Sequence, residues 1–139
     1  MLKKYLIIVA ALLIGSILLV GCAGNANGQD IIENSTGSII VSGAEARALL
    51  ESDGSVILLD VRSQDEFDDH HIEGSILIPY TELESRLSEL PDKNAIIIVF
   101  CRAGRRSAIA AEILVTNGYT NVYDMQEVTN WPEPLGTAD

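Results

Sequence analysis

At 139 residues the chain has room for one domain and a single modest core. Twenty acidic residues stand against nine basic ones, a formal charge of −11, which argues against nucleic acid and anionic lipid headgroups as ligands. Hydrophobic residues make up 47% of the chain, but a run at its start inflates that share.

Lys3 and Lys4 precede Leu6 to Val20, a stretch with no charge, and a small-residue exit follows. These are the parts of a secretory signal. The run is short for crossing a hydrocarbon core of roughly 30 Å, which takes about 20 residues. Its exit, Leu19-Val20-Gly21-Cys22, resembles the lipobox of bacterial lipoproteins. That resemblance implies a signal peptide at 1–21 and a lipid on the Cys22 thiol. The rest would be extracytoplasmic and anchored to a bacterial membrane. An uncleaved anchor with Cys22 idle would give the same topology. Without Lys3 and Lys4 the remaining chain has seven basic and twenty acidic residues, a formal charge of −13. With Cys22 lipidated, Cys101 has no partner for an intrachain disulfide.

Residues 22–37 (CAGNANGQDIIENSTG) are rich in Gly and Asn and read as a flexible tether. A folded domain is expected over 38–135, with 136–139 as a short tail. Ile39-Ile40-Val41 predicts a strand, and Ser42-Gly-Ala-Glu45 has the capping-box form that opens a helix to about Glu51. Val56 to Val61 predicts a strand apolar on both faces. Ser63-Gln-Asp-Glu66 is a second capping box before a short helix, and Ile76-Leu77-Ile78 is a strand stopped by Pro79. Thr81-Glu-Leu-Glu84 is a third box, with Leu83, Leu87 and Leu90 forming one apolar stripe. Ala95 to Phe100 is the strongest strand; Ser107 to Asn117 predicts a helix ended by Gly118, and Val122-Tyr-Asp a last strand. Alternating strands and helices without hairpin turns predict an α/β domain with a mainly parallel central sheet.

Residues 99–108 read VFCRAGRRSA, placing Cys101 and three of the nine basic residues in six consecutive positions. Parallel sheets put ligands at the carboxyl ends of their strands. Cys101 follows the strongest strand and shortly precedes a helix, so backbone N–H groups converge there and arginines surround it. Both favour a thiolate. A small buried cysteine ending a strand is the bland alternative.

The stretch Cys101-Arg102-Ala103-Gly104-Arg105-Arg106-Ser107 resembles the active-site loop of rhodanese-like, single-domain sulfurtransferases. Leu59-Asp60-Val61-Arg62, Glu66-Phe67, His71-Ile72-Glu73-Gly74-Ser75 and Ile78-Pro79 resemble that family's other signature, and Gly118-Tyr119 through Trp131-Pro132 its closing segment. The resemblance implies a three-layer fold with helices on both faces of the sheet. It implies transfer of sulfane sulfur from a donor such as thiosulfate to cyanide or a thiol through a persulfide on Cys101. No cofactor is implied beyond that transient persulfide. Arg102, Arg105 and Arg106 would steer oxyanions, Gly104 would let the loop turn, and Asp60 and Arg62 would brace it. Where the family commonly has Gly-Gly, this chain has Gln126-Glu127, and the turn there is expected to follow another path.

Two other readings stay open. Cysteine phosphatases and arsenate reductases use a C-x5-R loop, but here arginine falls one position early, at Arg106. A non-turnover persulfide carrier docking on a partner protein would use the same cysteine. His70 and His71 with one usable cysteine offer too few ligands for zinc, so no metal is expected. Asp65, Glu66, Asp68 and Asp69 read as a solvated helix face, and Trp131 as a core residue.

Overall fold

The computed structural model describes residues 32–33, 37–52 and 54–137. The expected signal peptide, Cys22 and most of the tether lie outside the described residues. In chain order the elements are β1 (Ile32–Glu33), β2 (Ile39–Ile40), α1 (Gly43–Ser52), β3 (Ile57–Asp60), α2 (Gln64–Asp69), β4 (Ile76–Leu77), a 3-10 helix (Leu83–Glu89), β5 (Ile96–Cys101), α3 (Arg105–Thr116), β6 (Asn121–Glu127) and a 3-10 turn (Val128–Asn130).

The strands form one sheet in the order β1-β2-β6-β5-β3-β4. Five of them run parallel, and β1 adds antiparallel to β2. The fold is the expected α/β architecture. Strand β5 sits between β6 and β3, so its side chains are buried alternately on two faces. Ile97, Val99 and Cys101 face Ala110, Ala111 and Leu114 of α3, with Leu83 and Leu90 completing that layer. Ile98 and Phe100 face Ala46 of α1, Met125, Val128 and Trp131. The charge-free run of β5 therefore reflects cover on both sides, as parallel sheets require.

Two of the three capping boxes form. Glu45 accepts from the Ser42 N–H at 2.7 Å, and its own N–H reaches Ser42 Oγ at 3.3 Å. Ser63 and Glu66 form the reciprocal pair at the start of α2. The third does not form: Thr81 lies in a turn closed by Glu82 N–H on the Pro79 carbonyl, and the segment continues as a 3-10 helix without a side-chain cap. Its apolar stripe is nonetheless used, with Leu83 and Leu90 buried.

The ends of the folded part differ from the sequence expectation. Strand β1 lies within the stretch read as tether. At the other end Gly136 exchanges two backbone hydrogen bonds of 2.8 Å with His71, beyond the expected boundary at 135.

Strand β6 carries an irregularity that shapes the site. Val99 pairs with Asp124, yet Phe100 pairs with Gln126, so Met125 is an extra residue in β6. Gln126 has φ 68°, the left-handed conformation that favours glycine. Gln126, where the family commonly has glycine, thus takes a backbone conformation that favours glycine. The Gln126 N–H donates to Asp124 Oδ1 at 2.8 Å, which helps hold it there.

Candidate active site

Cys101 is the last residue of the central strand, and its side chain is 1% exposed. Gly104 follows with φ 79°, a left-handed turn that swings the chain directly into α3. No side chain caps α3. The N–H groups of its first turn have no intrahelical acceptor, so they remain available to an anion. Buried Ser107 ties the turn together: its hydroxyl donates to the Gly104 carbonyl at 2.9 Å and lies 3.4 Å from the Gln126 carbonyl. Beneath it lies buried Asp124, whose acidity is reduced by burial, against the opposing effect of hydrogen bonds from Ser107 and Gln126.

The three arginines have separate environments. Arg102 and Arg105 are exposed and have no ion-pair partner among the described residues. Arg106 is half-buried and forms a bidentate pair with Glu66, Nη1 donating to Oε2 at 2.6 Å and Nη2 to Oε1 at 2.8 Å. Those hydrogen bonds hold the Glu66 carboxyl down at about 2, well below its ordinary value. The Arg106 guanidinium is correspondingly stabilised in its charged form, chiefly by its hydrogen bonds to Glu66. Glu66 is therefore no solvated face residue. Its capping-box partner is visible in sequence, but its second partner lies 40 residues away and nothing local announces it.

Asp60 and Arg62 form a fully buried pair at the end of β3. The Arg62 Nη2 donates to Asp60 Oδ2 and to the His70 carbonyl, each at 2.7 Å. They make no hydrogen bond to the loop after Cys101. Their side-chain support goes to the chain leaving α2, through the His70 carbonyl. His71 stacks on Phe67 with centroids 4.1 Å apart, and its Nδ1 lies 2.9 Å from the Phe67 carbonyl. Among the described residues no three His, Cys, Asp or Glu side chains gather as a metal-binding group. An open groove of about 990 Å³ lies along β2 and α1, lined in part by Val41, Leu49 and Tyr123. Its rim reaches Gln126, but Cys101 is not in it.

The family description "Rhodanese-like domain" matches residues 42–127, which take in both the Asp60–Phe67 segment and the Cys101 loop. The chain belongs to the rhodanese-like domain family. Its curated relatives include the thiosulfate sulfurtransferase PspE of Escherichia coli, 43% identical over 65 residues that cover 46% of this chain and 62% of that protein. The thiosulfate sulfurtransferase GlpE of Coxiella burnetii is 31% identical over 70 residues, 50% of this chain and 64% of that one. The rhodanese-like chain thus spans less than two thirds of the length of these relatives. Among solved structures, a rhodanese with anions from E. coli is 35% identical with a TM-score of 0.56, covering 59% of this chain and 98% of its own. A human single-domain sulfurtransferase, TSTD1, is 29% identical with a TM-score of 0.60, covering 70% and 98%. The three-layer α/β fold is thereby that of the rhodanese family.

Proposed function

We propose that this rhodanese-like domain is a sulfurtransferase that carries sulfane sulfur on Cys101. The observation that supports the reading best is the seat of Cys101: a buried thiol at the carboxyl end of the central parallel strand, facing an uncapped helix start and one arginine already in place. The Cys101 thiolate attacks the outer sulfur of a donor such as thiosulfate. The sulfur–sulfur bond of the donor breaks, and sulfite leaves with the electron pair. Cys101 then holds a persulfide with the negative charge on its terminal sulfur. Cyanide or a thiolate attacks that sulfur, forms thiocyanate or a new persulfide, and returns the Cys101 thiolate. Charge grows on the leaving sulfite in the first step and on the Cys101 sulfur in the second, where the first N–H groups of α3 and Arg106 can meet it. Arg102 and Arg105, without acidic partners, draw anions to the mouth of an otherwise repelling protein.

A phosphatase reading is supported less well, because the loop arginine, Arg106, follows Cys101 one position earlier than the C-x5-R pattern requires. The same proposal places the domain outside the cytoplasm, tethered to a bacterial membrane by lipid on Cys22. That location is supported by the order of the basic, apolar and Leu-Val-Gly-Cys segments.

Intact-protein mass spectrometry on residues 23–139, before and after thiosulfate, tests the reading. One sulfur atom's mass should be gained, removed again by cyanide or a thiol, and missing from Cys101→Ser. A folded, reduced protein that gains nothing would overturn it.

A further inference from the structure

Among the described residues Gln126 is the only non-glycine with a positive φ, at 68°. Side chains rarely take that conformation, and backbone strain of this kind clusters at functional sites. Here it accompanies the bulge: Met125, the extra residue of β6, is buried, and Gln126 is left exposed. The Gln126 backbone is tied on both sides. Its N–H donates to buried Asp124 at 2.8 Å, and its carbonyl lies 3.4 Å from the Ser107 hydroxyl. That hydroxyl also donates to the Gly104 carbonyl at 2.9 Å. A backbone held in this way fixes where the Cβ stands. The atom lies 3.5 Å from the place a Cβ on Gly104 would take, against the turn that follows Cys101. Gln126 also lines the groove along β2 and α1, whereas no residue from 101 to 107 does. Gln126 is therefore common to the groove and to the surroundings of the cysteine loop.

We propose that Gln126 is a specificity-determining residue whose side chain divides the groove from the Cys101 loop, so that only small reactants reach the sulfur. A glycine at this position would leave nothing beyond the backbone between the two. A reactant with bulk beside its reacting atom could then rest that bulk against Val41, Leu49 and Tyr123 of the groove. The selection acts on size, so it applies to any reagent that meets Cys101. Its extension to sulfur acceptors, favouring cyanide and short thiols over bulky ones, rests on the sulfur-transfer reading above.

Size selection is read from a ratio of two rates at a single pH. The experiment uses the full chain in detergent with Cys22→Ser, so that Cys101 is the sole thiol. Labelling by iodoacetamide is compared with labelling by its N-phenyl derivative, which loses the same iodide and carries more bulk. Both reagents are uncharged, and a change in the reactivity of the sulfur itself cancels in the ratio. The series is this protein, Gln126→Gly, Gln126→Ala and Gln126→Met, the last keeping the length of the side chain without its carboxamide. Thermal melts of the same samples show which are folded at the labelling temperature.

Gln126→Gly should speed the phenyl reagent relative to iodoacetamide by roughly tenfold, the low end of what one methylene decides in a close-fitting site. Gln126→Ala should give part of that rise, and Gln126→Met should keep the original ratio. An unchanged or lower ratio in Gln126→Gly overturns the proposal. So does a rise in Gln126→Met equal to that in Gln126→Gly, which would assign the effect to the carboxamide instead of to bulk. A rise in Gln126→Gly that comes with a lower melting temperature reports a loosened domain and also overturns it. If Gln126→Gly does not fold, Gln126→Ala decides, and an unchanged ratio there overturns the proposal. Mass measurement after thiosulfate on the same samples separates the two readings. A raised ratio without a sulfur adduct leaves Gln126 as a size filter and removes the sulfurtransferase reading; an adduct with an unchanged ratio does the reverse.

Discussion

Replacing Gly43 by alanine tests how closely α1 is seated on the segment that follows β6. A Cβ at this position would lie 1.6 Å from the Asn130 carbonyl oxygen, 2.5 Å from its carbon and 3.2 Å from the Trp131 nitrogen. All three are backbone atoms, so no side-chain rotation relieves the overlap. A comfortable carbon contact begins near ~3.5 Å, and one element must therefore retreat by about 2 Å. The segment that would move carries Val128 and Trp131, both buried against the sheet. Overpacking of this kind costs about 1–3 kcal/mol, and lost burial adds to it. Alanine returns up to ~1 kcal/mol through its helix propensity. The balance is a loss of about 2 kcal/mol, which lowers the Tm of a domain this size by roughly 8–16 °C. Thermal and urea melts read the loss, and the fluorescence of Trp131, the single tryptophan, reads the contact. Wild-type stability with unchanged Trp131 emission would refute the reasoning, because only the propensity gain would then be acting.

Arg62→Ala strands Asp60 in the core and should cost about 3–5 kcal/mol in urea unfolding; a loss under ~1 kcal/mol would mean the pair is not buried as described. Glu66 is held at about 2 in the folded chain, so its contribution is present above the unfolded carboxyl range and disappears as pH falls from about 4.5 through 2. Glu66→Gln should flatten the stability profile in that window, and a variant with the wild-type slope would contradict the pairing. Arg102→Gln with Arg105→Gln should lower kcat/KM for thiosulfate about tenfold at low salt, leave iodoacetamide labelling of Cys101 unchanged, and lose its effect at high salt. Equal rates at every salt concentration would show that the two exposed arginines do not draw in the donor. Gln126→Gly should stabilise the domain by roughly 0.5–1 kcal/mol, since relief of the left-handed strain exceeds the added chain entropy; a destabilised variant would show that the glutamine side chain holds the turn.

What could be read from sequence follows the range of the interactions. Strands β3 and β5 were legible because burial on both faces writes a run of apolar residues. The Ser42 and Ser63 capping boxes were legible because both partners lie within one turn. Thr81-x-x-Glu84 has the same spelling, but Pro79 starts a turn that takes in Thr81 before any helix can begin. Strand β1 lay in a polar stretch and owes its place to pairing with β2, which no local pattern records. Cys101 stood out because charge clustered around it. The role of Arg106 did not, since the carboxylate that commits it sits on another helix, and the positive φ of Gln126 violates the rule by which glycine turns are recognised.

The burial of Cys101 has a consequence for its fate in oxidising surroundings. An S–S bond between two copies would need Cβ atoms about 3.8 Å apart and Cα atoms usually within about 7 Å. A side chain 1% exposed at the end of a six-residue strand cannot approach its twin that closely without both domains opening. A thiol with no mate in its own domain is thus protected from dimerising by its depth. Any reagent that does react with it must be small enough to reach a buried sulfur. The seat that buries the sulfur at the end of the central strand also keeps it from pairing with a second copy.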